Sequence, residues 1–157
     1  MTGWRLGYMG GPTQIAAACA KIQGQFTSGA TAFGQKAAAY ALESDLGPTY
    51  AMVDEFHKRK DIVVQLLTAI PGFQVNDPEG AFYVFPDISD FFGKSYDGQL
   101  IENSEDFCAF LMSEALVGTV PGSAFGLEGC IRLSYAASEE VLREAIERIA
   151  TAVGKLN

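Results

Sequence analysis

Between Thr49 and Ile70 the apolar residues Met52, Val53, Phe56, Val63, Leu66, Leu67 and Ile70 return every three or four positions, the spacing of one face of a helix. Charge interrupts this stripe at Arg59-Lys60, and Pro71-Gly72 ends it. At 1.5 Å per residue such a helix is about 30 Å long. Two alanine-rich helices are predicted ahead of it. The first starts at Pro12, a residue suited to a first turn, and runs to about Gln23 with Ile15, Cys19 and Ile22 on one side. The second follows Ser28-Gly29, carries Phe33, Ala37, Tyr40 and Ala41 at helical spacing, and is stopped by Gly47-Pro48. Their alanines favour helix and allow close packing, so core packing is expected of both. Before them, Arg5 to Met9 reads as a short strand ending at Gly10-Gly11.

From Gly72 onward the period shortens to two. Phe73 to Val75, Ala81 to Phe85, 119–121 and 130–135 read as strands, with a turn cluster at Asn76-Asp77-Pro78-Glu79-Gly80. Phe91 to Asn103 is polar and glycine-containing and reads as a surface loop. A helix starts at Asn103 or Ser104, either of which can cap it. Glu105 and Asp106 complement its dipole, and Phe107, Phe110, Leu111 and Leu116 form its inner face. Ser138 caps a last helix whose Val141, Leu142, Ala145, Ile149 and Val153 point inward. Its Glu139-Arg143 and Glu144-Arg148 pairs are worth tenths of a kcal/mol each. The strands could form an antiparallel sheet covered by helices, a small α+β domain.

Composition narrows the function classes. The chain of 157 residues is 48% apolar and 11% aromatic, enough for a real core. Its 11 basic and 19 acidic residues leave a net charge of −8, which argues against nucleic-acid binding. The cationic cluster His57-Lys58-Arg59-Lys60 reads as a solvated helix face, with His57 turned to solvent. Cys19, Cys108 and Cys130 show no C-x-x-C spacing, and the single histidine cannot build a His-rich metal site. Free thiols point to a reducing, cytoplasmic setting. No apolar run approaches a membrane span.

Two arginines stand out chemically. Arg5 lies in Gly3-Trp4-Arg5-Leu6-Gly7, between glycines that let a backbone come close to a ligand or take a positive φ. Its planar fork of donors suits phosphate or carboxylate; the alternative is an ordinary surface loop. Arg132 sits in Gly129-Cys130-Ile131-Arg132-Leu133-Ser134-Tyr135-Ala136, where alternation puts Ile131, Leu133 and Tyr135 on one face and Cys130, Arg132 and Ser134 on the other. A full charge inside an apolar strand needs a reason. Either that face is wet or Arg132 meets an anion.

The run Met1 to Tyr8, the segment Gly80-Ala81-Phe82-Tyr83-Val84-Phe85 and Ile131-Arg132-Leu133-Ser134-Tyr135 resemble the pyridoxal-phosphate aminotransferases of the aspartate aminotransferase type, in order and spacing, over essentially the whole chain. The resemblance implies an α/β fold whose C-terminal part is this chain: residues 1–48 a remnant of the large cofactor-binding domain, and 49–157 the α+β small domain with its antiparallel sheet. It implies that Arg5 binds the phosphate of pyridoxal 5'-phosphate and that Arg132 binds the substrate's α-carboxylate. It implies amino-acid and 2-oxo-acid substrates, aspartate among the candidate donors, and a homodimer with sites at the interface. It also places the Schiff-base lysine about eight residues before Arg5, upstream of Met1. The lysines present are Lys21, Lys36, Lys58, Lys60, Lys94 and Lys155, and none precedes Arg5. No catalytic residue is therefore expected in this chain, and the chain alone is expected to be inactive. In the family the loop Val120 to Gly126 lies close to the substrate; on its own it reads as a Pro/Gly turn. Two other readings stay open: a pyridoxal-phosphate-dependent lyase using the same arginines, and a non-catalytic folded module that self-associates through residues 1–46, exposing Ile15, Ile22, Phe26 and Phe33.

Overall fold

The structure is a computed structural model that describes residues 3–157. The chain divides into two units, the first ending at Thr49 and the second comprising Tyr50–Asn157.

The first unit holds helices α1 (Thr13–Phe26) and α2 (Ala32–Glu43). Helix α1 starts after Pro12 and runs three residues beyond the predicted end at Gln23, closing at Thr27, whose N–H donates to the Gln23 carbonyl. The core packing expected from the alanines is not found, whereas the exposure of Ile15, Ile22, Phe26 and Phe33 expected of a self-associating module is. Helix α1 buries no residue, and α2 buries only Gly34. Ile15, Ile22, Phe26, Phe33 and Tyr40 are exposed. The predicted strand at Arg5 to Met9 is absent as well. Gly3 to Arg5 form a turn, Leu6 to Gly11 lack regular structure, and Arg5 has φ 55°, which breaks the pleat. Met1 and Thr2, the first residues of the opening motif, lie outside the described residues.

Gly47-Pro48 does not terminate α2. That helix gives way at Ser44, and Gly47 opens α3 (Gly47–Thr68), with Pro48 in the first turn, where its missing N–H costs nothing. Of the predicted stripe, Val63, Leu67 and Ile70 are buried, while Met52 and Val53 are exposed. His57 is exposed, as the sequence indicates, but Arg59 and Lys60 are largely covered. Arg59 pairs with Glu55 at 2.9 Å and Lys60 reaches Asp77 at 2.8 Å, so this part of the cationic cluster is structural.

The second unit is built on a three-stranded antiparallel sheet of β1 (Tyr83–Val84), β4 (Val120–Pro121) and β5 (Ile131–Ser134), in the order β1-β5-β4. The register pairs Tyr83 with Ser134, Val84 with Leu133, Val120 with Arg132 and Pro121 with Ile131. The strands are shorter than predicted. Ala81, at φ 61°, cuts the segment from Ala81 to Phe85 to two strand residues, and the predicted strand at Phe73 to Val75 contributes only a bridge from Gln74 to Asp87. The stretch from Phe91 to Asn103 is not a polar loop. It contains the hairpin β2 (Ser95–Tyr96) and β3 (Gln99–Leu100), turned by Asp97 and Gly98 at φ 48° and 79°. Phe91 and Ile101 at its ends are buried.

Helix α4 (Ser104–Glu114) is capped by Asn103, whose side chain accepts from the Asp106 N–H. Leu116 does not line its inner face; it lies beyond the helix at φ 54° and is exposed. Helix α5 (Glu139–Val153) is capped by Ser138, as expected. Its buried face is Leu142, Ile146, Ile149, Ala152 and Val153, whereas Val141 is half exposed. One core joins α3, the sheet, α4 and α5, with Leu67, Phe91, Phe107, Leu111, Ile131 and Ile149 at its centre.

Candidate functional site

Arg132 lies on β5, the middle strand, and is half-buried. Directly opposite residues of an antiparallel pair share a face, as do residues two apart on one strand. Arg132 therefore shares its face with Val120 and Ser134, and through Ser134 with Tyr83 on β1. That diagonal brings the Arg132 guanidinium over the Tyr83 ring, 4.4 Å from its centre. A second ring arrives from the turn after β4. Gly122–Phe125 is a short 3-10 helix that closes at Gly126 in the left-handed region, and its last residue places Phe125 4.6 Å from the same guanidinium. Among the described residues no carboxylate lies within ion-pair distance of Arg132. The two rings cover two approaches to the cation.

Backbone geometry sets both rings. Ala81 holds a left-handed conformation that costs a side chain about 1–2 kcal/mol. The buried Tyr135 hydroxyl donates to the Ala81 carbonyl at 2.9 Å, so the residue just past the end of β5 fixes the bend from which Phe82 and Tyr83 project. Burial pushes the Tyr135 hydroxyl pKa up, keeping it the donor. Phe125 is held by its own turn. Ser104, fully buried at the start of α4, donates its N–H and hydroxyl to Glu128, both at 2.7 Å, and accepts the Ser123 N–H at 3.3 Å. The Ser104 hydroxyl and amide hold the Glu128 carboxyl below the usual carboxylate range. Phe125 also meets Phe85 edge to face at 5.8 Å. The sequence singled out Arg132 and the Val120 to Gly126 loop, but not the convergence of Tyr83 and Phe125 on the guanidinium. Tyr83 lies in the segment Gly80 to Phe85 and Phe125 in the turn Val120 to Gly126; the strand register that joins them is not readable from periodicity.

Arg5 belongs to the first unit. The positive φ falls on Arg5 itself and not on Gly7. Its loop is tied to α2 on both sides. Trp4 meets Phe33 edge to face at 5.8 Å, and Leu6 packs so tightly on Gly34 that a Cβ there would lie 2.9 Å from Leu6 Cδ1. Gly3 and Gly7 have open space where a side chain would be, so a ligand can approach the backbone beside the exposed Arg5 side chain.

Four of the six lysines have other engagements. Lys60 binds Asp77 and Asp61, Lys155 binds Glu114 at 2.9 Å, Lys58 pairs with Glu55, and Lys94 lies over the Phe91 ring. The hydrogen bonds to Asp77 and to Glu114 raise the pKa values of Lys60 and Lys155 above the ordinary lysine value, the reverse of what a nucleophilic amine requires. Of the cysteines, Cys19 is exposed, Cys108 half-buried and Cys130 buried, all as free thiols, and burial raises the latter two.

Residues 1–149 match the family model for aminotransferase class I and II. The bifunctional aspartate aminotransferase and glutamate/aspartate-prephenate aminotransferase of Petunia hybrida is 48% identical over 161 residues, covering 98% of this chain and 33% of that protein. The aspartate aminotransferase of Rhizobium meliloti (strain 1021) is 44% identical over 158 residues, covering 100% of this chain and 38% of that protein. A crystal structure of the Rhizobium meliloti aspartate aminotransferase matches with a TM-score of 0.90 at 44% identity, over 100% of this chain and 40% of that one. The aspartate aminotransferase of Thermotoga maritima matches with a TM-score of 0.80 at 40% identity, over 98% of this chain and 37% of that one. The chain thus spans between 33% and 40% of the length of these relatives.

Proposed function

The chain belongs to the class I and II aminotransferases, and from that premise we propose that it is the C-terminal part of a pyridoxal-phosphate-dependent enzyme that moves an amino group between an amino acid and a 2-oxo acid. The observation that carries this reading is Arg132: a half-buried arginine on a central strand, over two rings and without an ion-pair partner among the described residues. Its role is to hold the substrate's α-carboxylate through paired N–H donors. Holding that group at two points fixes the direction of the Cα–H bond, and orientation of this kind lowers the barrier for proton removal. Arg5 holds the cofactor phosphate, in a loop whose glycines leave room beside the backbone. Pyridoxal 5'-phosphate, when bound, supplies the electron sink that lets the Cα–H bond ionise. The lysine that attaches the cofactor belongs to a segment upstream of Met1, and this chain alone is inactive. Residues 1–48 are a remnant of the large domain and 49–157 the small domain.

The relatives' names, aspartate aminotransferase and aspartate-prephenate aminotransferase, favour aspartate as amino donor and favour transfer over a lyase reaction. The full-length enzyme acts as a homodimer. Free thiols fit a cytoplasmic setting. Among the described residues no helix is long and apolar enough to cross a membrane.

The test is Arg132→Ala in the full-length enzyme, with aspartate and 2-oxoglutarate as substrates and the isolated chain as inactive baseline. A charge-assisted pair contributes about 1.5–3 kcal/mol. The KM for aspartate should therefore rise by roughly 10- to 150-fold, with the cofactor still bound. An unchanged KM removes Arg132 from the substrate site, and loss of a carboxyl group from aspartate as carbon dioxide, without oxaloacetate formation, would favour the lyase.

A further inference from the structure

We infer that Tyr83 and Phe125 are positioning residues that make Arg132 selective for a flat, two-oxygen anion; this rests on the reading of Arg132 as the carboxylate site. The guanidinium lies 4.4 Å from the Tyr83 ring centre and 4.6 Å from that of Phe125, both inside the range of a cation–π contact. The rings come from separate elements, β1 and the turn after β4, and each is anchored independently. Tyr83 follows the Ala81 bend tied down by Tyr135, and Phe125 ends a turn tied through Ser123 to Ser104 and Glu128. The arginine has no carboxylate partner among the described residues to hold it in place. The rings take that part without neutralising the charge or using up a donor.

Arginine presents its donors in one plane, matched to the two oxygens of a carboxylate. A carboxylate approaching edge-on keeps its atoms in that plane and clear of the rings. A tetrahedral phosphonate carries a third oxygen out of the plane, toward ring faces whose quadrupole is negative. Removing a ring therefore has two consequences. The guanidinium becomes free to turn, which weakens carboxylate binding, and the out-of-plane oxygen loses its obstacle.

The experiment uses the full-length enzyme with its cofactor, comparing Tyr83→Leu and Phe125→Leu with Tyr83→Phe and Phe125→Tyr, which keep the rings. Each leucine variant should raise the KM for aspartate by about 3- to 10-fold with a much smaller change in kcat and normal cofactor absorbance. The aromatic variants should stay within about twofold of the parent. Alanine and 1-aminoethylphosphonate, which differ only in the anion, are then compared as competitive ligands. Their ratio of inhibition constants should favour the carboxylate in the parent and fall by about 3- to 10-fold in the leucine variants. If Arg132→Ala raises KM while the leucine variants change neither KM nor the ratio, the positioning role is wrong and the carboxylate reading survives. If Arg132→Ala leaves KM unchanged, the carboxylate reading itself fails, and the positioning role fails with it.

Discussion

Gly122 stands where a single methyl group has nowhere to go. An added Cβ would run into the backbone carbonyl oxygens of Leu127 and Cys130, and backbone cannot swing aside as a side-chain tip can. The close approach exists because the Gly122 N–H donates to Cys130 and its carbonyl accepts from Leu127, which closes the turn carrying Phe125. Gly122→Ala should cost about 3 kcal/mol and lower Tm by roughly 10 °C, as followed by thermal unfolding. A Tm within a degree or two of the parent would mean that the turn can open without loss. Sequence alone marked 120–126 as a Pro/Gly turn, and it marked Arg132 as a charge needing a reason. It gave no sign that Gly122 is sterically obligatory, because the atoms that crowd it come from residues five and eight positions away and meet only after the turn closes. Arg5 illustrates the opposite case: its flanking glycines drew attention, yet the positive φ belongs to the arginine.

At the level of elements, helix starts were the most legible feature, since a cap is decided within four residues. Asn103 and Ser138 accept from the N–H groups of Asp106 and Val141, as their positions indicated. The hairpin at Ser95 to Leu100 was missed although Asp97-Gly98 is a strong turn signal, because the polar composition around it outweighed that signal. The junction of α4 with the Phe125 turn was not legible at all, since Ser104 and Glu128 are 24 residues apart. That junction has a pH signature. The Glu128 carboxylate accepts two hydrogen bonds from Ser104, and its pKa is held below the ordinary value. A lowered folded-state value stabilises the fold above the unfolded-state value, about 4.3 for glutamate, and the contribution is lost as pH falls through the folded value. Glu128→Gln should therefore melt below the parent at neutral pH, and the gap should shrink progressively as pH drops beneath about 4. The Glu114 carboxyl, also lowered, by Lys155, is present in both proteins and cancels in the difference. A gap that stays constant down to the acid limit would show that the charge on Glu128 is not what Ser104 stabilises.

At the scale of the whole molecule, burial is divided unevenly between the two units. Every residue of the hydrophobic core, from Val63 to Val153, belongs to the second unit. The first unit buries only Gly34 within its two helices and leaves Ile22 60%, Phe26 84% and Tyr40 75% exposed. The helical periodicity that identified α1 and α2 was real, but periodicity tells which face is apolar and not what covers it. Apolar faces of this extent lose free energy to water at about 25 cal/mol per Å² and recover it by association. The isolated chain should therefore self-associate through the first unit. Helix α3 begins at Gly47, so a version comprising residues 47–157 keeps that helix whole and retains the entire core. Size exclusion with light scattering should give oligomers or a concentration-dependent mass for the 157-residue chain and a monomer for the shorter one. Ile22→Glu with Phe26→Glu in the full chain should shift its mass toward the monomer while leaving the melting of the second unit unchanged. A clean monomer for the unaltered chain at all concentrations would mean that α1 and α2 cover one another in solution, and the exposed faces would then carry no association.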